Sequence, residues 1–91
     1  NTKDNNFNTK KWIIKVGSYS KKLNAEKQIQ NLSQKKHQSF IIKSEKDNRI
    51  LYSVNIGPFF SVEDVKKNYS NLIKDKNYSK AYILESNLNS K

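Results

Sequence analysis

Two stretches decide the fold: Trp12-Ile-Ile-Lys-Val-Gly-Ser-Tyr19 and Ile50-Leu-Tyr-Ser-Val-Asn-Ile-Gly-Pro-Phe59. In each, apolar residues alternate with others up to a glycine, the pattern of a half-buried strand. A segment with apolar residues at helical spacing follows each one. The chain therefore reads as strand–helix twice over, with an extra strand in each half. In the first stretch Trp12, Ile14 and Val16 share the side expected to face a core, and Ile13, Lys15 and Gly17 the side expected to be exposed. In the second, Tyr52, Val54 and Ile56 are expected inward and Leu51, Ser53 and Asn55 outward.

Outward from these strands the other elements follow. Within residues 23–35, Ala25, Ile29 and Leu32 fall at i, i+4, i+7 among Lys, Gln and Asn, which predicts an amphipathic helix capped by Ser20 or Asn24. Residues 39–44 form a short β-rich run, and Lys46-Asp47-Asn48 is turn chemistry that joins it to the second alternating strand as a hairpin. Gly57-Pro58 is expected to end that strand, because proline cannot donate to the ladder. Ser61-Val-Glu-Asp64 is a hydroxyl cap followed by acids, a helix start. Val65, Tyr69, Leu72 and Ile73 make the apolar stripe of this second helix, and residues 79–85 a last strand.

The order β-α-β-β-α-β predicts an α+β fold: a four-stranded antiparallel sheet with two helices on one face, ferredoxin-like or RNP-like. The consequence for function is direct. The other sheet face has no helix over it and is available to bind something.

At 91 residues the chain is one small domain, expected over 11–86, with a polar linker at 1–10 and a polar tail at 87–91. It begins at Asn1 without a signal-like segment and is expected to be an excised domain of a longer protein. The absence of cysteine excludes a disulfide framework and a thiolate metal site. No apolar run approaches the length of a membrane span. The net charge is +10, from 18 Lys+Arg and 8 Asp+Glu, of which residues 12–86 carry +7. Such a domain attracts polyanions: nucleic acid, anionic lipid or an acidic glycan. Seventeen of the 18 cations are lysine, and with abundant Asn and Ile this also fits the codon bias of an AT-rich genome and a merely solvated surface.

Candidates for catalysis are few. His37 is the one histidine, beside Lys35 and Lys36 at an expected helix end, where it is ordinary helix-end chemistry. Two opposed carboxylates would be needed to hydrolyse a sugar. Glu45 with Asp47 lie in a turn and Glu63 with Asp64 in a first helical turn, so both pairs have structural explanations. Gly17 and Gly57 are the two glycines and make no phosphate loop. The chain is expected to be no enzyme and to use no cofactor and no metal. RNA-recognition-motif domains share the β-α-β-β-α-β order, which makes RNA binding the alternative function. That fold stacks bases on aromatics of the central strands. Here the outward positions of those strands are Ile13, Lys15, Leu51, Ser53 and Asn55, so nucleic acid is not the expected partner.

Taken together, Trp12-Ile-Ile-Lys-Val-Gly-Ser-Tyr19, Asn24-Ala25-Glu26 with Leu32, and Leu51-Tyr-Ser-Val-Asn-Ile-Gly-Pro-Phe59 resemble the SPOR domain over about residues 11–86. That family typically shows V-Q-V-G-S-F near its start and Y-R-V-R-V-G-P-F in its third strand. The resemblance implies a non-catalytic, peptidoglycan-binding module with its ligand on the open sheet face. It implies a preference for denuded glycan strands, whose free lactyl carboxylates make them regular polyanions. It also implies a periplasmic or envelope location at the division septum, in a parent protein that could be membrane-anchored. The module is expected to be a monomer. The glycan-contacting residues expected from the resemblance and the strand alternation are Ile13, Lys15, Ser18, Phe40, Leu51, Ser53, Asn55 and Tyr82. Two positions depart from the family pattern: Lys15 stands where Gln is common, and Ser53 where Arg often stands, which removes a bidentate donor.

Overall fold

The computed structural model describes residues 10–86; the expected linker, apart from Lys10, and the expected tail lie outside them. The elements run β1 (Lys11–Tyr19), α1 (Lys22–Gln34), β2 (Ser39–Lys46), β3 (Arg49–Phe59), α2 (Val62–Leu72), a 3₁₀ turn (Lys76–Tyr78) and β4 (Tyr82–Ser86). One antiparallel sheet holds all four strands in the order β2-β3-β1-β4. The two long alternating strands are therefore central. Helix α1 packs over β2, β3 and β1, and α2 over β1, β3 and β4, so both lie on one face.

Between sheet and helices lies one core, in which Ile14, Val54 and Ile56 meet Ala25 and Leu32 of α1 and Val65 and Leu72 of α2. Trp12, Val16, Tyr52 and Ile83 pack around its margin. Tyr78, carried by the 3₁₀ turn, closes one end. Burying Leu32 or Val54 fully is worth about 1.5–3 kcal/mol each.

Local chemistry sets the element ends. Ser61 Oγ accepts from the Asp64 backbone N–H at 3.1 Å, the expected cap. Helix α1 departs from expectation: Lys21 is its N-cap, and no side chain, neither Ser20 nor Asn24, makes the capping bond. At its other end the Lys36 N–H donates to Ser33 O and the His37 N–H to Leu32 O, both at 2.9 Å, with Lys36 at φ 66°. This is a Schellman ending with a lysine where glycine is least strained. Between β2 and β3, Asp47 (φ 53°) and Asn48 (φ 64°) make a two-residue turn of type I′, which pairs Lys46 with Arg49 and fixes the hairpin register.

Two irregularities re-aim the central strands. In β1 the register steps from Lys15↔Asn55 to Gly17↔Val54, so Val16 is the extra residue of a bulge. Gly17 therefore turns toward the helix side instead of the open face. A Cβ there would come within 3.0 Å of the Tyr19 hydroxyl, so the missing side chain makes room for that ring. In β3 the register passes from Ile56↔Ile14 to Phe59↔Trp12, a bulge at Gly57-Pro58. The strand thus continues through the proline that was expected to end it, because a bulge tolerates a residue without an N–H. Gly57 adopts φ 138°, and its N–H donates to Gln38 O at 3.0 Å.

Candidate functional site

The face opposite the helices is built by register. Across the middle of the sheet, Phe40 pairs with Asn55, Asn55 with Lys15, and Lys15 with Tyr82. One straight rung therefore runs aromatic–amide–ammonium–aromatic over all four strands. Three inter-strand gaps make it about 14 Å long. A second rung toward the hairpin holds Ile42, Ser53 and Ser18, and Ser44 with Leu51 lies beyond it. On the other side Ile13 pairs with Leu84.

Seven of the eight expected residues keep the open-face orientation on strand alternation alone. Ser18 reaches it through the β1 bulge: strict alternation would turn it inward, but the inserted Val16 sets it opposite Ser53. Exposure divides the set. Ser18 is exposed and Tyr82 is 47% exposed, while Lys15, Phe40, Leu51 and Ser53 are half-buried. Ile13 (5%) and Asn55 (1%) are buried, against the expectation of exposure. Ile13 packs against the Gly57 bulge, where a built Cβ would sit 3.4 Å from its Cγ2, and it forms apolar floor instead of surface. Asn55 is held down by its own strand: its Nδ2 donates to Ser53 O at 3.2 Å and to Ser53 Oγ at 3.4 Å. Ser53 Oγ in turn donates to Ile42 O at 3.3 Å. This chain of bonds fixes the carboxamide and commits the Ser53 hydroxyl hydrogen to the backbone.

Sequence reasoning missed two apolar side chains of this face, Ile42 (42% exposed) and Leu84 (39%). The signal was present in the turn: a two-residue I′ loop at Asp47-Asn48 sets Lys46↔Arg49 and hence Ile42↔Ser53. It also missed the pattern of charge. By the same register Lys11, Lys15, Lys46 and Arg49 share the open-face side. The strand carboxylates Glu45 and Glu85 pair with Ile50 and Trp12 on the other side. Beyond the rung, the Lys11 ammonium stands 5.4 Å from the Phe60 ring centroid, a cation–π contact at the strand end. A surface cleft of about 530 Å³ at the hairpin end is lined by Ser20, Asn48, Arg49, Ile50 and Leu51.

Among the described residues, the titrating groups shifted from their ordinary values lie elsewhere, on the helix side. Lys35 Nζ reaches Asp75 Oδ2 at 2.5 Å and stands 5.0 Å from the Tyr78 ring centroid. The hydrogen bond from Lys35 lowers the Asp75 carboxyl below its ordinary range and raises the ammonium above its own. Burial pushes the Tyr78 phenol up. These groups fasten α1 to the segment after α2. His37 offers its backbone N–H to Leu32 O and lies outside the open face. Among the described residues no cluster of His, Asp and Glu could hold a metal ion.

A flat face with a central ammonium and flanking aromatics over a buried amide has the chemistry to receive an extended polar ligand. Its aromatics stand on the edge strands, Phe40 on β2 and Tyr82 on β4, and not on the central strands where RNA-recognition motifs stack bases. Comparison with protein families matches residues 8–85 to the SPOR domain. The chain belongs to the SPOR domain family, whose members bind peptidoglycan and occur in bacterial cell-envelope and division proteins. No curated protein and no solved structure matches the chain. No described helix is long and apolar enough to cross a membrane.

Proposed function

We propose that this domain binds glycan strands of peptidoglycan that lack stem peptides, and that it targets its parent protein to the septal cell wall from the periplasmic side. It does so as a non-catalytic module. The observation that carries this is the rung Phe40–Asn55–Lys15–Tyr82. A hexose ring is about as long as one inter-strand spacing, about 5 Å, so a glycan lying across the strands sets roughly one sugar over each. Sugar rings present C–H faces to aromatic and apolar side chains, and here Phe40 and Tyr82 receive them at the two ends. The Lys15 ammonium takes a lactyl carboxylate, which exists as a free acid only where the stem peptide has been removed. The exposed Ser18 serves hydroxyl and acetamido groups, while the buried Asn55 carboxamide, bonded to Ser53, stiffens the floor between Phe40 and Lys15. Leu51, Ile42 and Leu84 widen the apolar floor.

Charge supports the same ligand. A face with Lys11, Lys15, Lys46 and Arg49 on it, and the strand carboxylates turned the other way, attracts a polyanion along its whole length. Co-sedimentation with purified sacculi, before and after amidase digestion, tests the reading. Tighter binding after digestion is expected. Equal binding to both preparations, or none to either, would count against it.

A further inference from the structure

The open face holds only part of the charge. The helices with their flanking turns, residues 20–37 and 60–81, contain ten lysines against four carboxylates. Strands and hairpin over 10–19, 38–59 and 82–86 contain five lysines and Arg49 against three. Among the described residues two-thirds of the excess positive charge thus sits on the helix layer, on the side away from the rung. Those ten lysines are exposed. Two are engaged by carboxylates, Lys22 with Glu26 at 4.0 Å and Lys35 with Asp75.

Folding accounts for Lys35, which pairs with Asp75, but not for every lysine of the layer. Lys21 and Lys22 stand at the N-cap and first position of α1, where the helix dipole repels cations, and no acid occupies that first turn. In α2, Glu63 stands three residues before Lys66 and four before Lys67, a favourable order within the helix, and both lysines remain exposed to solvent. Lys21 and Lys22, which oppose their own helix, are retained for something outside it.

We propose that the helix layer is a second binding surface, for an anionic phospholipid bilayer, so that the domain lies between membrane and glycan with one on each face. Three observations select a bilayer over nucleic acid. All ten cations of the layer are lysine, compact point charges suited to diffuse headgroup attraction, and none is the arginine that forks onto phosphates or stacks on bases. The molecule is a slab 19 Å thick along its short axis, so its helix side meets a plane broadly and brings many lysines within a Debye length of it. On the outer positions of α1 and α2 the exposed apolar residues are Leu23 and Val62, and the one exposed aromatic of the layer, Phe60, is already met by the Lys11 ammonium, so among the described residues no row of aromatics offers bases a platform.

The test is sedimentation of the domain with vesicles of phosphatidylcholine alone and with about a third phosphatidylglycerol. Binding is expected only to the anionic vesicles and is expected to fall steeply with salt. Each lysine near the surface is worth about fivefold in partitioning, so Lys66→Glu with Lys67→Glu should weaken vesicle binding by at least about 25-fold. The same double variant should still sediment with amidase-treated sacculi, which shows it folded. Lys15→Glu should do the reverse, losing sacculi and keeping vesicles. Equal binding to neutral and anionic vesicles, no binding to either, or tighter binding to a duplex oligonucleotide than to anionic vesicles at the same salt would overturn the proposal. None of these results bears on glycan recognition, which the sacculi alone decide.

Discussion

Lys15 is the one cation in the middle of the rung, and reversing its charge probes the proposed ligand most directly. It is half-buried on a central strand, between Asn55 and Tyr82. A carboxylate at 4 Å from an ammonium gains about 1 kcal/mol in water and about 4 kcal/mol at an effective permittivity of 20. The rung is open to solvent on its ligand side, so the lower part of that range applies, about 1–1.5 kcal/mol. Lys15→Gln should then weaken binding to amidase-treated sacculi by about tenfold, and Lys15→Glu, which adds repulsion of similar size, by about a hundredfold. Screening makes the effect diagnostic: the Debye length falls from about 10 Å at 0.1 M salt to about 3 Å at 1 M. Sedimentation of each variant through a salt series should show the curves converge at high salt, while thermal unfolding by circular dichroism stays near that of the parent. If Lys15→Glu binds within about threefold of the parent at low salt, no carboxylate sits at Lys15 and the proposed alignment of the glycan is wrong.

Three further outcomes follow from the backbone and the helix side. Gly57→Ala should destabilise the domain by about 1–3 kcal/mol in chemical denaturation, because its φ of 138° disfavours a side chain and the new Cβ would meet Trp12 O at 3.2 Å. Lys36→Gly should stabilise it by about 0.5–1 kcal/mol, raising the unfolding midpoint by about 2–8 °C, since the left-handed position at the end of α1 no longer bears a Cβ. Asp75 is held below the ordinary carboxylate range by its hydrogen bond from Lys35, so it contributes stability above the unfolded carboxyl's titration that is lost as pH falls through the lowered one. Asp75→Asn should therefore flatten the acid limb of a stability–pH profile, and an unchanged limb would show that the pair does not matter to folding. At the alkaline end, Lys35 contributes stability that is present below its ordinary titration range and lost as pH rises through the raised value.

Much of the fold was legible from alternation and helical spacing alone. Trp12, Ile14 and Val16 and then Tyr52, Val54 and Ile56 do face the core, and Ala25, Leu32, Val65 and Leu72 do carry the helices onto them. Those signals are local and periodic, and burial enforces them. The misses lie where periodicity breaks. Pro58 was expected to stop β3 and instead sits in a bulge within it, and Gly17 was expected outward and is turned inward by the extra residue Val16. A bulge is a pairing event between two strands far apart in sequence, so one strand read alone does not contain it.

The site divides along the same line. Residue types by themselves determined that the open face mixes lysine, serine, amide and apolar groups, and the paired strand motifs determined the family. Only the tertiary pairing put Phe40, Asn55, Lys15 and Tyr82 in a single row, because each belongs to a different strand and register is set by the hairpin turn and the bulges. Pairing also withdrew Ile13 and Asn55 from the surface, one packed against the Gly57 bulge and the other bonded to Ser53. Burial is a property of neighbours across strands, and a linear sequence fixes side-chain chemistry without fixing who those neighbours are.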